Sequence, residues 1–153
     1  MCRLPLRRCN AALKLPIVYT VMTLPDLVDD ETVLFVRVAW WETALGLIRS
    51  LRIPVSYIQN ARAAQPWSTN TEQGLCPGIR VGLGLPGVKL LGRKVSLGKA
   101  PVFVDCSAGN TPLLVVDILP ETSHGYRRLV ITTERAEELA KRITASKEPG
   151  QAK

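Results

Sequence analysis

The sequence predicts a mainly β fold that ends in one C-terminal helix. Between residues 88 and 131, short apolar runs such as residues 101–105 and 113–117 are separated by Gly, Asn, Pro and Ser clusters. That pattern is typical of strands joined by turns. After Thr133 the apolar residues change to helical spacing. The length of 153 residues corresponds to one domain that buries roughly two-thirds of its unfolded surface.

The first half of the chain carries weaker strand patterns. Residues 32–38 alternate well enough to predict a strand. Residues 43–52 fit an amphipathic helix and a strand equally well, because a glycine interrupts the helical pattern. Pro54 favours an extended backbone before it, and we expect a further strand over residues 55–63.

Polar segments predict the connections. Residues 65–79 have the composition of a long loop, and long loops inside a compact domain often carry function. Trp67 in this loop is either a ligand-facing aromatic, and so a candidate contact residue, or a lid over the core. Residues 107–110 predict a hairpin turn between two strands. Residues 120–125 predict a looser connection.

The closing helix is predicted over about residues 134–145. Its apolar residues recur at i, i+3, i+4 and i+7, which places them on one face. These residues are Ala136, Leu139, Ala140 and Ile143. Thr133 is positioned to cap the first free amides, and the acids of the first turn favour the positive end of the helix dipole.

The domain organisation follows from charge and composition. We expect a basic N-terminal extension over residues 1–21, either disordered or not native, a single domain over residues 22–146 and a disordered tail over residues 147–153. The net charge of +7 favours anionic partners such as nucleic acid or an acidic membrane surface. Four of those excess charges lie in the first 14 residues, which contain no acid, and this weakens the inference.

The cysteines and the apolar runs exclude several classes. No two of the four cysteines have the C-x₂₋₄-C spacing of a zinc site, and only one histidine exists. We therefore expect no metal, and reduced cysteines in a cytoplasmic protein. No run reaches the roughly 18 to 20 apolar residues of a membrane helix, so no integral membrane span is expected.

One glycine motif points to a nucleotide but lacks the right context. Residues 82–87 match G-x-G-x-x-G, the turn that brings a dinucleotide pyrophosphate to a helix N-terminus. Residues 88–98 favour a strand or bent hairpin where that helix is required. Bends in a curved sheet explain these glycines instead, and we expect no cofactor.

The remaining polar residues do not indicate catalysis. Ser123 and His124 are neighbours in a loop, which does not provide the spatial relay of a catalytic triad. Asp105 and Asp117 would face each other across the turn at 107–110 as paired carboxylates, or they merely end strands. We expect no enzyme.

A run of cations is the best candidate for a binding site. It contains five cations over 20 residues with no intervening acid: Arg80, Lys89, Arg93, Lys94 and Lys99. On adjacent strands they would form one anion-binding patch able to meet phosphates. The alternative is a solvated cationic sheet face, because the segment lacks the aromatic residues of single-strand and RNA-binding platforms.

The order of elements resembles the bacterial pleckstrin-homology-like superfamily, particularly its actinobacterial type. The resemblance is carried by residues 52–58 (Arg-Ile-Pro-Val-Ser-Tyr-Ile), 77–82, 86–88, 102–104, 113–116 and 129–139. Glu134 and Ala136 depart from the Asp and Pro of the family at the helix start. The resemblance covers about residues 32–145. It implies strongly curved antiparallel sheets, or a partly open barrel, capped by the helix, with no shared catalytic site.

These observations predict a small cytoplasmic interaction module without catalysis. Its partner would be a protein, or another copy of the chain, bound at an exposed edge strand or the 65–79 loop. The alternative is a peripheral binder of anionic lipid or nucleic acid through the five cations. A third reading is a small barrel that carries an apolar molecule, with Trp67 at its mouth. The phosphoinositide motif of eukaryotic relatives is not matched, since residues 37–52 hold only scattered arginines.

Overall fold

The strands of the computed structural model form two sheets. The structure describes residues 24–40, 43, 49–85, 88–119 and 125–147. Its strands are β1 (Leu24–Val28), β2 (Val33–Arg37), β3 (Leu51–Pro54), β4 (Ile58–Ala64), β5 (Ile79–Leu85), β6 (Lys89–Ser96), β7 (Lys99–Ser107), β8 (Leu113–Ile118) and β9 (Arg128–Thr132). The helices that lie wholly within the described residues are α1 (Thr69–Leu75) and α2 (Ala136–Ser146), and a 3₁₀ turn over Val55–Tyr57 precedes β4.

The small sheet contains β1, β2 and β3 in that order, all antiparallel. In β2 the buried residues Leu34 and Val36 alternate with more exposed ones, as expected for a strand with one face on the core. Ile53 of β3 lies opposite Leu34 and is also buried. The prediction of a strand at 32–38 is confirmed, and part of the ambiguous segment 43–52 belongs to β3.

The large sheet has the order β4-β8-β9-β7-β6-β5. All neighbours are antiparallel except β7 and β9, which are parallel. The antiparallel sheets that the resemblance implies are therefore wrong for one pair, and the described strands form two sheets with no closed barrel. The predicted hairpin at 107–110 is also wrong, because β9 lies between β7 and β8. Leu129, Val130 and Ile131 of β9 are all fully buried, as in a central strand covered on both faces.

Two apolar cores lie on the two faces of the large sheet. The first core packs the sheet against the small sheet and α2, and includes Leu91, Phe103, Leu114, Val116, Leu129 and Ile131. The second core lies on the opposite face under Trp67 and Leu75, and includes Leu90, Val102, Val104, Leu113, Val115 and Val130. Burial on both faces explains why β7 and β8 are almost continuously apolar.

The segment over residues 65–79 is not only a loop. It contains α1, whose N-cap Ser68 accepts a hydrogen bond from the amide of Thr71. No residue of α1 is fully buried, and Gly74 lies inside it. The helix therefore lacks the apolar stripe that marks a helix in sequence, and its polar composition predicts a loop.

The C-terminal helix is confirmed within two residues of its predicted start. The four residues expected on its apolar face are the four that are buried. The cap differs, because Arg135 occupies the N-cap position and its amide donates to the Thr133 hydroxyl at 3.3 Å. The predicted extension at 1–21 lies outside the described residues, as do 148–153 of the tail.

Candidate functional site

The structure does not gather the five predicted cations into one patch. Side chains alternate between faces along a strand, so Lys89 and Arg93 of β6 lie on the face opposite Lys94. Arg80 of β5 lies directly across from Lys94. Lys99 begins β7 beyond the β6–β7 turn.

Two of the five cations are engaged by acids. Lys94 is only 8% exposed, and its ammonium donates a short hydrogen bond to the Glu72 carboxylate of α1. The ammonium of Lys89 lies 3.4 Å from Oδ1 of Asp105. The other three cations, Arg80, Arg93 and Lys99, are exposed, and no ion pair among the described residues includes them.

Two polar contacts connect α1 to the large sheet. The Glu72–Lys94 pair joins the helix to β6. At its C-terminal end, Nη1 of Arg128 donates to the Leu75 carbonyl at 3.1 Å, while the same guanidinium pairs with Asp117 of β8. Because carbonyls at a helix C-terminus lack partners within the helix, this bond satisfies one of them.

Trp67 is half-buried and packs against the second core beside Leu75. Its indole Nε1 is buried and has no hydrogen-bond acceptor among the described residues. The space beneath the ring, toward Cys76 and Cys106, is too narrow for a water molecule. The described strands form no closed barrel, and among the described residues the space beneath Trp67 offers no cavity for an apolar ligand.

The two described cysteines are inert in this environment. Burial raises the pKa of the Cys76 thiol to about 11. Burial, followed by the neighbouring Cys76, raises the pKa of Cys106 well above its usual value. Both thiols are therefore protonated near neutral pH, whereas a reactive cysteine requires a thiolate. Within the described part of the chain, no three His, Cys, Asp or Glu side chains converge as a metal site would require.

The two candidate carboxylates do not form a pair. Asp117 pairs with Arg128, and Asp105 lies beside Lys89 two strands away, so the carboxylates do not face each other. This corrects the paired-carboxylate alternative, since the inserted β9 separates the two strands. Ser123 and His124 lie outside the described residues.

The glycine motif lies in a strand hairpin. Gly82 and Gly84 belong to β5, and the chain continues into β6, where the dinucleotide motif would require a helix. Gly82 lies opposite Gly92 of β6, and both have positive φ, 143° and 150°. The glycines therefore allow a close approach between two strands, as a bent sheet requires.

The feature that sequence analysis missed is the apolar edge at β5. Its odd-numbered residues share one sheet face, where Ile79 is 78% exposed, Val81 45% and Leu85 50%, while Leu83 is half-buried against the first core. Val95 of β6, opposite Ile79, is also exposed. We call Ile79, Val81, Leu83 and Leu85 the β5 stripe. The sequence pattern that could have indicated the β5 stripe is the alternation of apolar residues over 79–85. The same pattern also fits a strand whose apolar face is buried, so it does not predict exposure.

The edge of β5 is open, whereas the other edge of the large sheet is partly covered. Among the described strands, β5 pairs only with β6, so the opposite side of its backbone has no ladder partner. At the β4 edge, α2 packs against the strand, and Lys147 donates to the Gln59 carbonyl at 2.7 Å. Exposed residues there are polar, such as Asn60 and Arg62. Of the two edge strands of the large sheet, β5 is therefore the one with exposed apolar side chains and no element packed along its outer side among the described residues.

Two further findings bear on the site. None of the helices in the described segments has the length and apolar character needed to cross a membrane. Comparison of the chain with protein-family models, with curated proteins and with solved structures gave no match.

Proposed function

We propose that the protein is a non-catalytic interaction module that binds a protein partner by strand addition at β5. The observation that carries the proposal is the β5 stripe on an edge strand that has no ladder partner on its outer side among the described residues. In strand addition, main-chain hydrogen bonds give affinity and alternate side chains give specificity. Natural edge strands usually carry charges or proline against such pairing, and β5 carries only Arg80.

The proposal does not depend on the pleckstrin-homology-like resemblance. The parallel β7–β9 pair departs from the antiparallel sheets that the resemblance implies. Membership of that superfamily, and the cytoplasmic location expected with it, remain proposals of their own. The rigid support of β5 by β6 and β7 is enough for strand addition, because it presents the edge in an extended form.

A labelled strand peptide tests this function directly. The probe is a fluorescein-labelled peptide of alternating Val and Thr with terminal lysines, titrated with the full chain while fluorescence anisotropy is recorded. We expect saturable binding that is lost when alternate amides of the peptide are N-methylated, because those amides can no longer donate ladder hydrogen bonds.

Two variants locate the binding. Val81→Lys places a charge in the β5 stripe and should weaken peptide binding at least tenfold. Leu24→Lys makes the same kind of change at an exposed apolar residue of β1 and should leave binding unchanged. Equal binding to the Val81→Lys variant, or to the methylated peptide, would contradict strand addition at β5.

A second candidate function rests on the three exposed cations. Arg80, Arg93 and Lys99 form no ion pair among the described residues and favour contact with an anionic lipid or nucleic acid. Binding of a single-stranded oligonucleotide or of phosphatidylserine vesicles should then fall steeply with salt. The triple change of these residues to Gln should abolish it, and a persisting interaction would point to charges elsewhere in the chain.

A further inference from the structure

We infer that the partner of β5 is a second copy of this chain, paired antiparallel through β5 about an axis at Gly82. The inference rests on the proposed function, since it names the occupant of the same edge. A two-fold axis makes every pairing reciprocal. Gly82 is the central residue of a seven-residue strand, so this register brings all seven residues into the ladder.

The apolar face of β5 is self-complementary in this register. Ile79 lies opposite Leu85 of the second copy, and Val81 lies opposite Leu83 of the second copy, with the reciprocal pairs across the axis. Every member of the β5 stripe therefore meets an apolar side chain. Since Leu83 already packs against the first core, each Val81–Leu83 pair extends the first core of one copy toward the other copy.

The opposite face avoids a clash of like charges. There β5 carries Arg80, Gly82 and Gly84, and the register places Arg80 opposite Gly84 of the second copy. Within one copy the guanidinium already lies over Gly84, because an added Cβ there would come 2.8 Å from Nη2 of Arg80. The two Arg80 residues lie four positions apart along the ladder, and neither requires an acid on the partner.

The other edge of the sheet is a poorer partner for β5. Pairing β5 with β4 of another copy would place the β5 stripe beside a strand whose exposed residues are polar and against which α2 packs. Such a head-to-tail contact would also leave free edges at both ends and grow into open chains. Pairing β5 with β5 covers the apolar edge of each copy, and the resulting assembly stops at a dimer because no β5 edge is left free.

Light scattering on a size-exclusion column tests the inference with the full chain. We expect a concentration-dependent dimer for wild type and for Leu24→Lys. Val81→Lys should raise the dimer dissociation constant at least tenfold, with the folded state of both variants checked by circular dichroism. The excess positive charge of each copy opposes association, so added salt should strengthen the dimer. A dimer that survives Val81→Lys would overturn the inference.

Cross-linking tests the register. In a background with Cys2 and Cys9 changed to Ser, the variant Ile79→Cys/Leu85→Cys should form a disulfide-linked dimer under mild oxidation. Ile79→Cys/Val81→Cys carries the same number of new thiols, but the register keeps them apart, so it should stay uncross-linked. Cross-linking only in the second variant would overturn the register.

The outcomes separate this inference from the proposed function. If the chain stays monomeric at high concentration but binds the strand peptide through Val81, the inferred dimer is wrong and the proposed strand addition is supported. A monomer that binds no strand peptide overturns both. A dimer with the predicted cross-link supports both.

Discussion

Gly82 and Gly92 face each other across β5 and β6, and each occupies space that a Cβ on the other strand would need. A Cβ added to Gly82 would come 2.7 Å from the Cα of Gly92, and one added to Gly92 would come 2.9 Å from the Cα of Gly82. Both contacts involve backbone, which has little freedom to move aside. The hairpin that presents the β5 stripe therefore depends on this pair.

Gly92→Ala should destabilise the protein by about 1–3 kcal/mol, since alanine disfavours the positive φ and its Cβ meets β5. Urea denaturation measures the change. Gly74→Ala is the matched control, because Gly74 lies in α1 with open space around it. That change should be neutral or stabilise by up to about 1 kcal/mol. Equal effects at the two positions would show that the close approach carries no strain.

Ion pairs of Arg135 and Arg142 with Glu138, and with Asp26 and Glu31 of the small-sheet segment, should make the free energy of unfolding depend on pH in the acid range. Hydrogen bonds from Arg135, followed by its charge and by Arg142, lower the pKa of Glu138 to about 2 from its usual value of 4.5. The ionised carboxylate therefore stabilises the folded state fully above about pH 4.5. That contribution is lost as the pH falls toward 2.

Glu138→Gln should lower the denaturation midpoint near pH 7, and its difference from wild type should vanish by about pH 2. Glu137→Gln is the control, since Glu137 is exposed and forms no ion pair among the described residues. Salt should reduce the Glu138 effect, because the side chain is exposed and its pairs are screened. A difference that is constant with pH would contradict the assignment.

The Glu72–Lys94 pair predicts an asymmetry between its two partners. Glu72→Gln leaves a buried ammonium without its carboxylate and should cost about 1–3 kcal/mol. Lys94→Met replaces the charge by an apolar chain of similar length and should cost less. Combining both changes should recover part of the Glu72→Gln loss. Hydrogen exchange over α1 reports whether the cost is local, and equal single-variant effects would contradict the asymmetry.

Cys76 and Cys106 should resist modification in the native state. In a background with Cys2 and Cys9 changed to Ser, iodoacetamide at pH 8 should label neither thiol. With the pKa of Cys76 raised to about 11, only about one thiol in a thousand is ionised at that pH, and burial blocks access as well. Both should react in urea. Mass spectrometry that shows rapid native labelling would contradict the tight packing of α1 over the second core.

Local patterns predicted some elements well and others not at all. The apolar positions of α2 repeat within eight residues, so sequence fixes its buried face. The position of β9 between β7 and β8 is a non-local choice that no short pattern encodes, and the predicted hairpin at 107–110 failed for that reason. The helix α1 was not predicted because its contacts with the sheet come from one carboxylate, that of Glu72, and from the side chain and carbonyl of Leu75, while Trp67, which precedes the helix, packs beside it.

For the candidate site as well, some features could be predicted from local sequence and others could not. A single patch was one of the two interpretations of the five cations, the other being a solvated cationic sheet face, and strand alternation separates Lys89 and Arg93 from Lys94. The odd and even residue numbers alone were enough to predict that separation. The exposure of the β5 stripe could not be predicted in this way, because an alternating segment has the same composition whether its apolar face meets a core or solvent.

The insertion of β9 between β7 and β8 makes this fold suited to division into two complementing fragments. Cutting the chain in the connection over residues 120–124 separates β9 and α2 from the remaining strands. The larger piece then lacks the central strand of its sheet and the helix over its first core, while the smaller piece has neither sheet nor core. Each fragment therefore supplies elements that the other needs in order to fold. Recovery of the folded state would report association of the two fragments, which is the property that a split reporter requires.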